Sequence, residues 1–128
     1  MKHNVLYIDD EEVNLRVFKS AFRRDYNIYT ALSGEEGLQI VEEEDLQLIV
    51  TDERMPKMTG CEFLKKVYEK IPSIPPNRII LSGFSKTQNI EEAKEKYFLY
   101  MFISKPWEVD ELRNTMNDAI INAFETNS

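Results

Sequence analysis

Leu48-Ile49-Val50-Thr51-Asp52-Glu53-Arg54-Met55-Pro56 is the stretch that decides how this chain is read. Its first four residues, all apolar or β-branched, suit a strand buried on both faces of a parallel sheet. The run delivers one carboxylate, Asp52, to its C-terminal end; Pro56 stops it, and Thr59-Gly60 restarts the chain as a helix. In open parallel sheets, ligands bind in the crevice outside the carboxyl ends of the strands. A carboxylate placed there is a candidate for chemistry. Alone, Asp52 would equally suit a turn, where Asp is common. The other strand ends decide between the two.

Upstream, Val5-Leu6-Tyr7-Ile8 is a strand-length apolar run that stops abruptly in Asp9-Asp10-Glu11-Glu12. A helix is expected from Val13 to Arg24, with Leu15, Phe18, Ala21 and Phe22 at helical spacing. Tyr26 to Ala31 is a second strand by its β-branched and aromatic content. Ser33 with Glu36 three residues on forms a capping-box pattern, opening a helix to about Glu44 with Leu38, Ile40 and Val41 apolar. Downstream, Thr59 and Glu62 repeat that pattern, and Phe63, Leu64 and Val67 form the apolar side of the helix. The closely spaced prolines of Pro72 to Asn77 make a loop. Arg78 to Leu81 is the fourth strand, followed by Ser82-Gly83. A polar helix from Thr87 to Tyr97 leads to a fifth strand, Tyr100 to Ile103, which ends in Ser104-Lys105-Pro106-Trp107. A last helix, Glu108 to Phe124, is expected to bury Val109, Leu112, Met116, Ala119, Ile120 and Ala123. This alternation describes one α/β domain over residues 1–128: a five-stranded parallel sheet with right-handed crossovers and five helices on both faces.

The composition narrows the function. The 128 residues suit one domain, and 42% hydrophobic with 30% charged residues describe an ordinary globular protein. No apolar run approaches the roughly 20 residues that cross a bilayer. The N-terminus passes straight into the first strand and leaves no room for a signal peptide, so a cytoplasmic location is expected. A formal net charge of −7 argues against nucleic-acid binding, and Arg23-Arg24 suits a helix C-terminus better than a phosphate backbone. Cys61, the single cysteine, excludes an internal disulfide and is expected to be half-buried on its helix.

A parallel sheet brings the strand ends to one edge. There the first strand delivers Asp9 and Asp10, the third Asp52, the fourth Ser82 and the fifth Lys105. Three carboxylates so close repel one another unless a cation sits among them. Few carboxylates, with water filling the remaining octahedral positions, describe a Mg²⁺ site; Ca²⁺ would want more protein oxygens. The metal would neutralise a phosphoryl group, Lys105 would add a second positive charge, and the Ser82 hydroxyl would hydrogen-bond a phosphoryl oxygen. Asp52 is then the nucleophile of an aspartyl phosphate. Singly, Asp9-Asp10 also suits a helix N-terminus, Ser82-Gly83 a turn, and Lys105 a solvated surface. As an ordered set they are hard to reach by accident.

The chain resembles the response-regulator receiver domains of bacterial two-component signalling. The motifs that carry the resemblance are Ile8-Asp-Asp-Glu11, Val50-Thr-Asp-Glu-Arg-Met-Pro56, Leu81-Ser-Gly83 and Ser104-Lys-Pro-Trp107, in the family's order. The resemblance implies strand order 2-1-3-4-5, an order for which a receiver protein is itself a reference example. It implies that Asp10 and Asp52 bind Mg²⁺ directly with the backbone carbonyl of Arg54, while Asp9 acts mainly through water. It implies a histidine kinase or phosphotransfer protein as partner, whose phosphohistidine supplies the phosphoryl group, and self-catalysed transfer and dephosphorylation. It also implies a cis Lys105-Pro106 bond, plausible because the residue is Pro.

Two positions depart from the commonest family pattern: Ser82 stands where Thr is usual, and the aromatic switch is Phe102 rather than Tyr. Arg54 and Phe84 occupy positions that govern water access in the family, and their bulk implies slow autodephosphorylation. On phosphorylation, Ser82 is expected to move toward the new oxygens and Phe102 to fill the vacated volume, a population shift between two packings. The readout face would be the fourth helix, fifth strand and fifth helix, with Lys86, Ile90, Lys94 and Tyr97 as candidates, and it is a candidate homodimer surface. The sequence leaves no room for an output domain after Phe124, so either a stand-alone receiver or one cut from a longer regulator is expected.

Three rivals are weaker. An aspartyl phosphatase would want an acid two residues after the nucleophile, where Arg54 stands. A flavin carrier would want a phosphate-cradling loop where Asp9 to Glu12 would repel one. A pseudo-receiver acting only as a protein-binding module would have little use for a complete set of site residues.

Overall fold

The computed structural model describes residues 2–70, 77–83 and 99–126. Five strands, β1 (His3–Ile8), β2 (Tyr26–Ala31), β3 (Leu48–Asp52), β4 (Asn77–Ser82) and β5 (Leu99–Ser104), form one parallel sheet in the order β2-β1-β3-β4-β5. Helices α1 (Glu12–Phe22), α2 (Gly34–Glu43), α3 (Gly60–Lys70) and the C-terminal helix (Val109–Thr126) pack against it. The expected loop Pro72 to Pro76, the helix Thr87 to Tyr97 with the readout candidates Lys86, Ile90, Lys94 and Tyr97, and Phe84 lie outside the described residues, as do the side chains of Ala123 and Phe124. Asn77, expected in the loop, begins β4.

Side chains alternate across a strand, and β1 shows the result. Val5 and Tyr7 join Phe18, Phe22, Val50, Ile79, Leu81, Leu112 and Met116 on the α1 and C-terminal-helix side. Leu6 and Ile8 join Ile49, Phe63, Leu64, Val67 and Ile80 on the α2 and α3 side. Both faces are covered, so the strands read as continuous apolar runs.

Two expectations of burial are corrected. Val109 is exposed rather than buried, because it stands in the first turn of its helix, beside the cavity under Trp107. Cys61 is buried rather than half-buried, because it falls in the apolar cluster that α3 forms with the sheet, with Phe63, Leu64 and Val67. The two capping patterns also differ. Thr59 and Glu62 bond reciprocally, Glu62 N–H to Thr59 Oγ1 at 3.1 Å and Thr59 N–H to Glu62 Oε1 at 3.0 Å. At α2, Glu36 N–H reaches Ser33 Oγ, but the Glu36 carboxylate accepts from Leu32 N–H, one residue earlier than the motif predicts.

The register aligns the carboxyl ends. Ile8 pairs with Thr51, Asp52 with Leu81, and Ser82 with Ser104. The ladder runs one step further: Asp9 N–H donates to Ala31 O, Glu53 N–H to Leu81 O and Lys105 N–H to Ser82 O. Each bond fixes a residue just past its strand, where the side chains of Asp9 and Lys105 are needed.

Candidate functional site

Asp9, Asp10 and Asp52 each offer a carboxylate oxygen within 4.8 Å of the others. Asp9 and Asp52 are buried and Asp10 is exposed, so the cluster opens to solvent on one side. The Lys105 ammonium, 24% exposed, lies 3.2 Å from Asp52 Oδ1 and 3.3 Å from Asp9 Oδ2. The Lys105-Pro106 bond that precedes Trp107 is cis.

Burial is the main force on Asp52 and pushes its carboxyl above the ordinary carboxylate range. Lys105 opposes that rise without cancelling it, and Asp9 reinforces it. Burial also works against the Lys105 ammonium, but Asp52 and Asp9 outweigh it and hold its pKa above the usual lysine value. The donor set suits a small hard cation: oxygen ligands only, with an exposed side left for water. Asp9, Asp10 and Asp52 are the residues that could hold it.

The other predicted residues fall around this centre. Ser82 is buried at the end of β4. Phe102 pairs with Ile80 on the same face of the sheet as Ser82, one alternation below it, and is half-buried against the α3-side core. Arg54 is exposed, lining an open hollow with Glu53, Met55, Pro56 and Thr59.

Two contributors escaped the sequence reading. Glu53 is buried, and its Oε1 accepts the Cys61 N–H at 2.8 Å while its carbonyl accepts the Gly60 N–H at 2.9 Å. It ties the residue after Asp52 to the start of α3, satisfying N–H groups that a helix leaves open. A Cβ on Gly60 would come within 2.6 Å of the Asp52 carbonyl oxygen, so this close approach requires glycine. Tyr7 is the second: its buried hydroxyl donates to Asp9 Oδ2 at 2.7 Å. Burial, reinforced by Asp9, pushes the phenol well above its ordinary pKa. The signal for Tyr7 was present in the i, i+2 spacing that sets it on the same face as Asp9.

Comparison with known proteins agrees with this geometry. A family model described as the response regulator receiver domain matches residues 5–117. The hydrogenase transcriptional regulatory protein HoxA of Cupriavidus necator is 32% identical over 116 residues, which cover 91% of this chain and 24% of that protein. Sporulation initiation phosphotransferase F of Bacillus subtilis is 29% identical over 117 residues, covering 91% of this chain and 92% of that one. The chain thus spans about a quarter of the length of the regulator, at 24%, and nearly all of the phosphotransferase. Among solved structures, a response regulator receiver domain protein from Clostridium thermocellum superposes with a TM-score of 0.83 at 29% identity, covering 94% of this chain and 95% of that one. A CheY-like receiver domain protein from Methanospirillum hungatei shares the fold, with a TM-score of 0.88 at 22% identity over 98% of this chain and 99% of that one. The family match takes in all three clustered carboxylates and the lysine between two of them, and the chain belongs to the response regulator receiver domains of two-component signalling.

Proposed function

We propose that the chain accepts a phosphoryl group on Asp52 from the phosphohistidine of a histidine kinase or phosphotransfer protein. The observation that carries this reading is the Lys105 ammonium set between Asp9 and Asp52, with the Asp10 carboxylate in reach of both. An Asp52 carboxylate oxygen attacks phosphorus, the bond from phosphorus to the donor imidazole breaks, and the imidazole leaves with the bonding pair and takes up a proton. Lys105 faces the oxygen that becomes the acyl-phosphate linkage and offsets charge on the transferring group. Asp10, Asp52 and the Arg54 carbonyl would hold Mg²⁺, with Asp9 acting through water; when bound, the ion neutralises the phosphoryl oxygens.

The Ser82 hydroxyl then hydrogen-bonds a phosphoryl oxygen, and Phe102, on the same sheet face, moves into the space it leaves. Phosphorylation adds roughly −1.5 to −2 charge, and differential contacts with that charge set the size of the shift. The readout surface for a target protein, and the candidate homodimer surface, is the face of the fourth helix (expected over Thr87 to Tyr97), β5 and the C-terminal helix. Hydrolysis by water at phosphorus resets Asp52. The bulk of Arg54 and Phe84 is expected to slow that step, and a phosphoryl lifetime of seconds in the purified protein would overturn this point. Among the described residues no helix is long and apolar enough to cross a membrane, and the proposed place of action is the cytoplasm.

The test is intact mass after incubation with acetyl phosphate and Mg²⁺, beside an Asp52→Asn control. One phosphoryl adduct that requires both Mg²⁺ and Asp52 is expected. If Mg²⁺ binds but neither acetyl phosphate nor a panel of phosphorylated kinases labels Asp52, the chain is instead a phosphorylation-independent binding module.

A further inference from the structure

We propose that Tyr7 is a positioning residue of this site: its buried hydroxyl holds the Asp9 carboxylate where it can serve the cation while leaving Lys105 shared with Asp52. The inference rests on the phosphoacceptor reading of the site and adds a part that the acceptor, its lysine and the metal-facing carboxylates do not supply.

The hydroxyl arrives at a fixed point. The Tyr7 ring is 1% exposed and stacks on Phe18, with centroids 4.1 Å apart and planes 21° from parallel. Phe18 is in turn braced by Phe22 at 4.9 Å and by the edge of Trp107 at 6.2 Å. A ring wedged in this way has little rotamer freedom, so its oxygen is a rigid anchor.

Asp9 has both oxygens committed. Oδ2 accepts from Tyr7 Oη at 2.7 Å, Asn14 Nδ2 at 3.0 Å and Lys105 Nζ at 3.3 Å, while Oδ1 accepts from Glu11 N–H at 3.0 Å. An ionised carboxylate only accepts, so the phenol donates. The Tyr7 contact is the shortest of the three on Oδ2 and comes from a neutral group. Lys105, by contrast, stands almost midway, 3.3 Å from Asp9 and 3.2 Å from Asp52. Without the Tyr7 donor, Oδ2 would keep only Asn14 and Lys105, so the ammonium would be drawn toward Asp9 and the carboxylate would lose its most rigid anchor. Outer partners of groups that serve a metal cost about 10–100-fold in metal affinity when removed.

Tyr7→Phe in the full chain tests this, because it removes the hydroxyl and keeps the ring stack; an unchanged thermal midpoint would show that the fold is intact. Mg²⁺ is titrated against the emission of Trp107, the only tryptophan, which lines one cavity with Tyr7, Asn14 and Lys105. The initial rate of phosphorylation by acetyl phosphate is followed over the same Mg²⁺ range. The expected result is a Kd for Mg²⁺ weakened about tenfold, with the rate depressed at limiting Mg²⁺ and recovered at saturation. An unchanged Kd overturns the inference, including the case where only the saturated rate falls, which a structural role would produce. In an Asp9→Asn background, Tyr7→Phe should add no further loss; losses that add would mean that Tyr7 does not act through Asp9. If the unsubstituted protein responds to Mg²⁺ neither in emission nor in rate, the cation-site reading falls and the Tyr7 inference with it, while phosphorylation by kinases tests the acceptor reading separately.

Discussion

Within β3, Leu48, Ile49 and Val50 are closed off from water among apolar neighbours, while Asp52, two residues beyond Val50, is nearly as enclosed but faces Asp9 and Lys105. The first three gain from burial, at roughly 1.5–3 kcal/mol for each large aliphatic side chain. Asp52 gains nothing comparable. Burial, reinforced by Asp9, raises its carboxyl pKa, and the neighbouring lysine only partly compensates. One strand therefore carries both the stabilising core and a site held in place against its own preference. The difference teaches that the carboxyl edge is positioned by the layer beneath it: by Tyr7 wedged on Phe18, and by Glu53 locked to α3.

If the core holds the edge, damage to the core should cost stability first. Phe63 is fully buried and lies where a Cβ on Gly37 would come within 3.0 Å of its ring. Phe63→Ala should cost about 3–5 kcal/mol, read as a lower urea midpoint, while the folded fraction still takes up phosphoryl from acetyl phosphate. Loss of phosphorylation without loss of stability would break the comparison.

Gly60→Ala tests the junction between the two regions. The new Cβ meets the Asp52 carbonyl, which is backbone and must shift. The expected cost is about 1–3 kcal/mol, with Mg²⁺ affinity reduced as well, measured by denaturation and by metal titration of the same preparation.

Asp52→Asn should move stability the other way. A carboxyl whose folded pKa lies above its unfolded value penalises folding once both forms have ionised, and the penalty vanishes below the unfolded value. At pH 7 without Mg²⁺, the variant should therefore melt a few degrees higher than the parent. That gap should close as the pH falls toward about 4. Scanning calorimetry of both proteins across this range checks the sign; a variant that melts below the parent at pH 7 would place Asp52 among the stabilising groups.

The smallest effect is expected at Lys57, whose φ of 70° lies in the left-handed region. Lys57→Gly relieves that backbone cost but loosens the unfolded chain, for a net gain of about 0.5 kcal/mol. Chemical denaturation measures it, and phosphorylation should not change.

Much of the fold was legible because its signals are local. The β2 run Tyr26 to Ala31 is the observed strand to the residue, since β-branched and aromatic side chains leave the backbone little alternative. Thr59 with Glu62 marked the α3 start because both bonds of that box close within four residues. Glu36 was harder to read: its carboxylate bonds Leu32 N–H, a choice made by how β2 enters α2. Val109 and Cys61 were misjudged because spacing gives a helix its apolar stripe but not how far its first turn overhangs the sheet.

What the sequence determined by itself was the strand–helix alternation and the kinds of group at each strand end: Asp9 and Asp10, Asp52, Ser82, Lys105. A parallel sheet with short crossovers has one carboxyl edge, so convergence followed from topology alone. Only the tertiary structure decided that Lys105 is divided between Asp9 and Asp52, that Tyr7 holds Asp9, and that Glu53 turns inward to α3. Those choices rest on distances of about 3 Å between residues as far apart as Asp9 and Lys105. Such distances are set by packing across the whole sheet, and no local pattern in the chain encodes them.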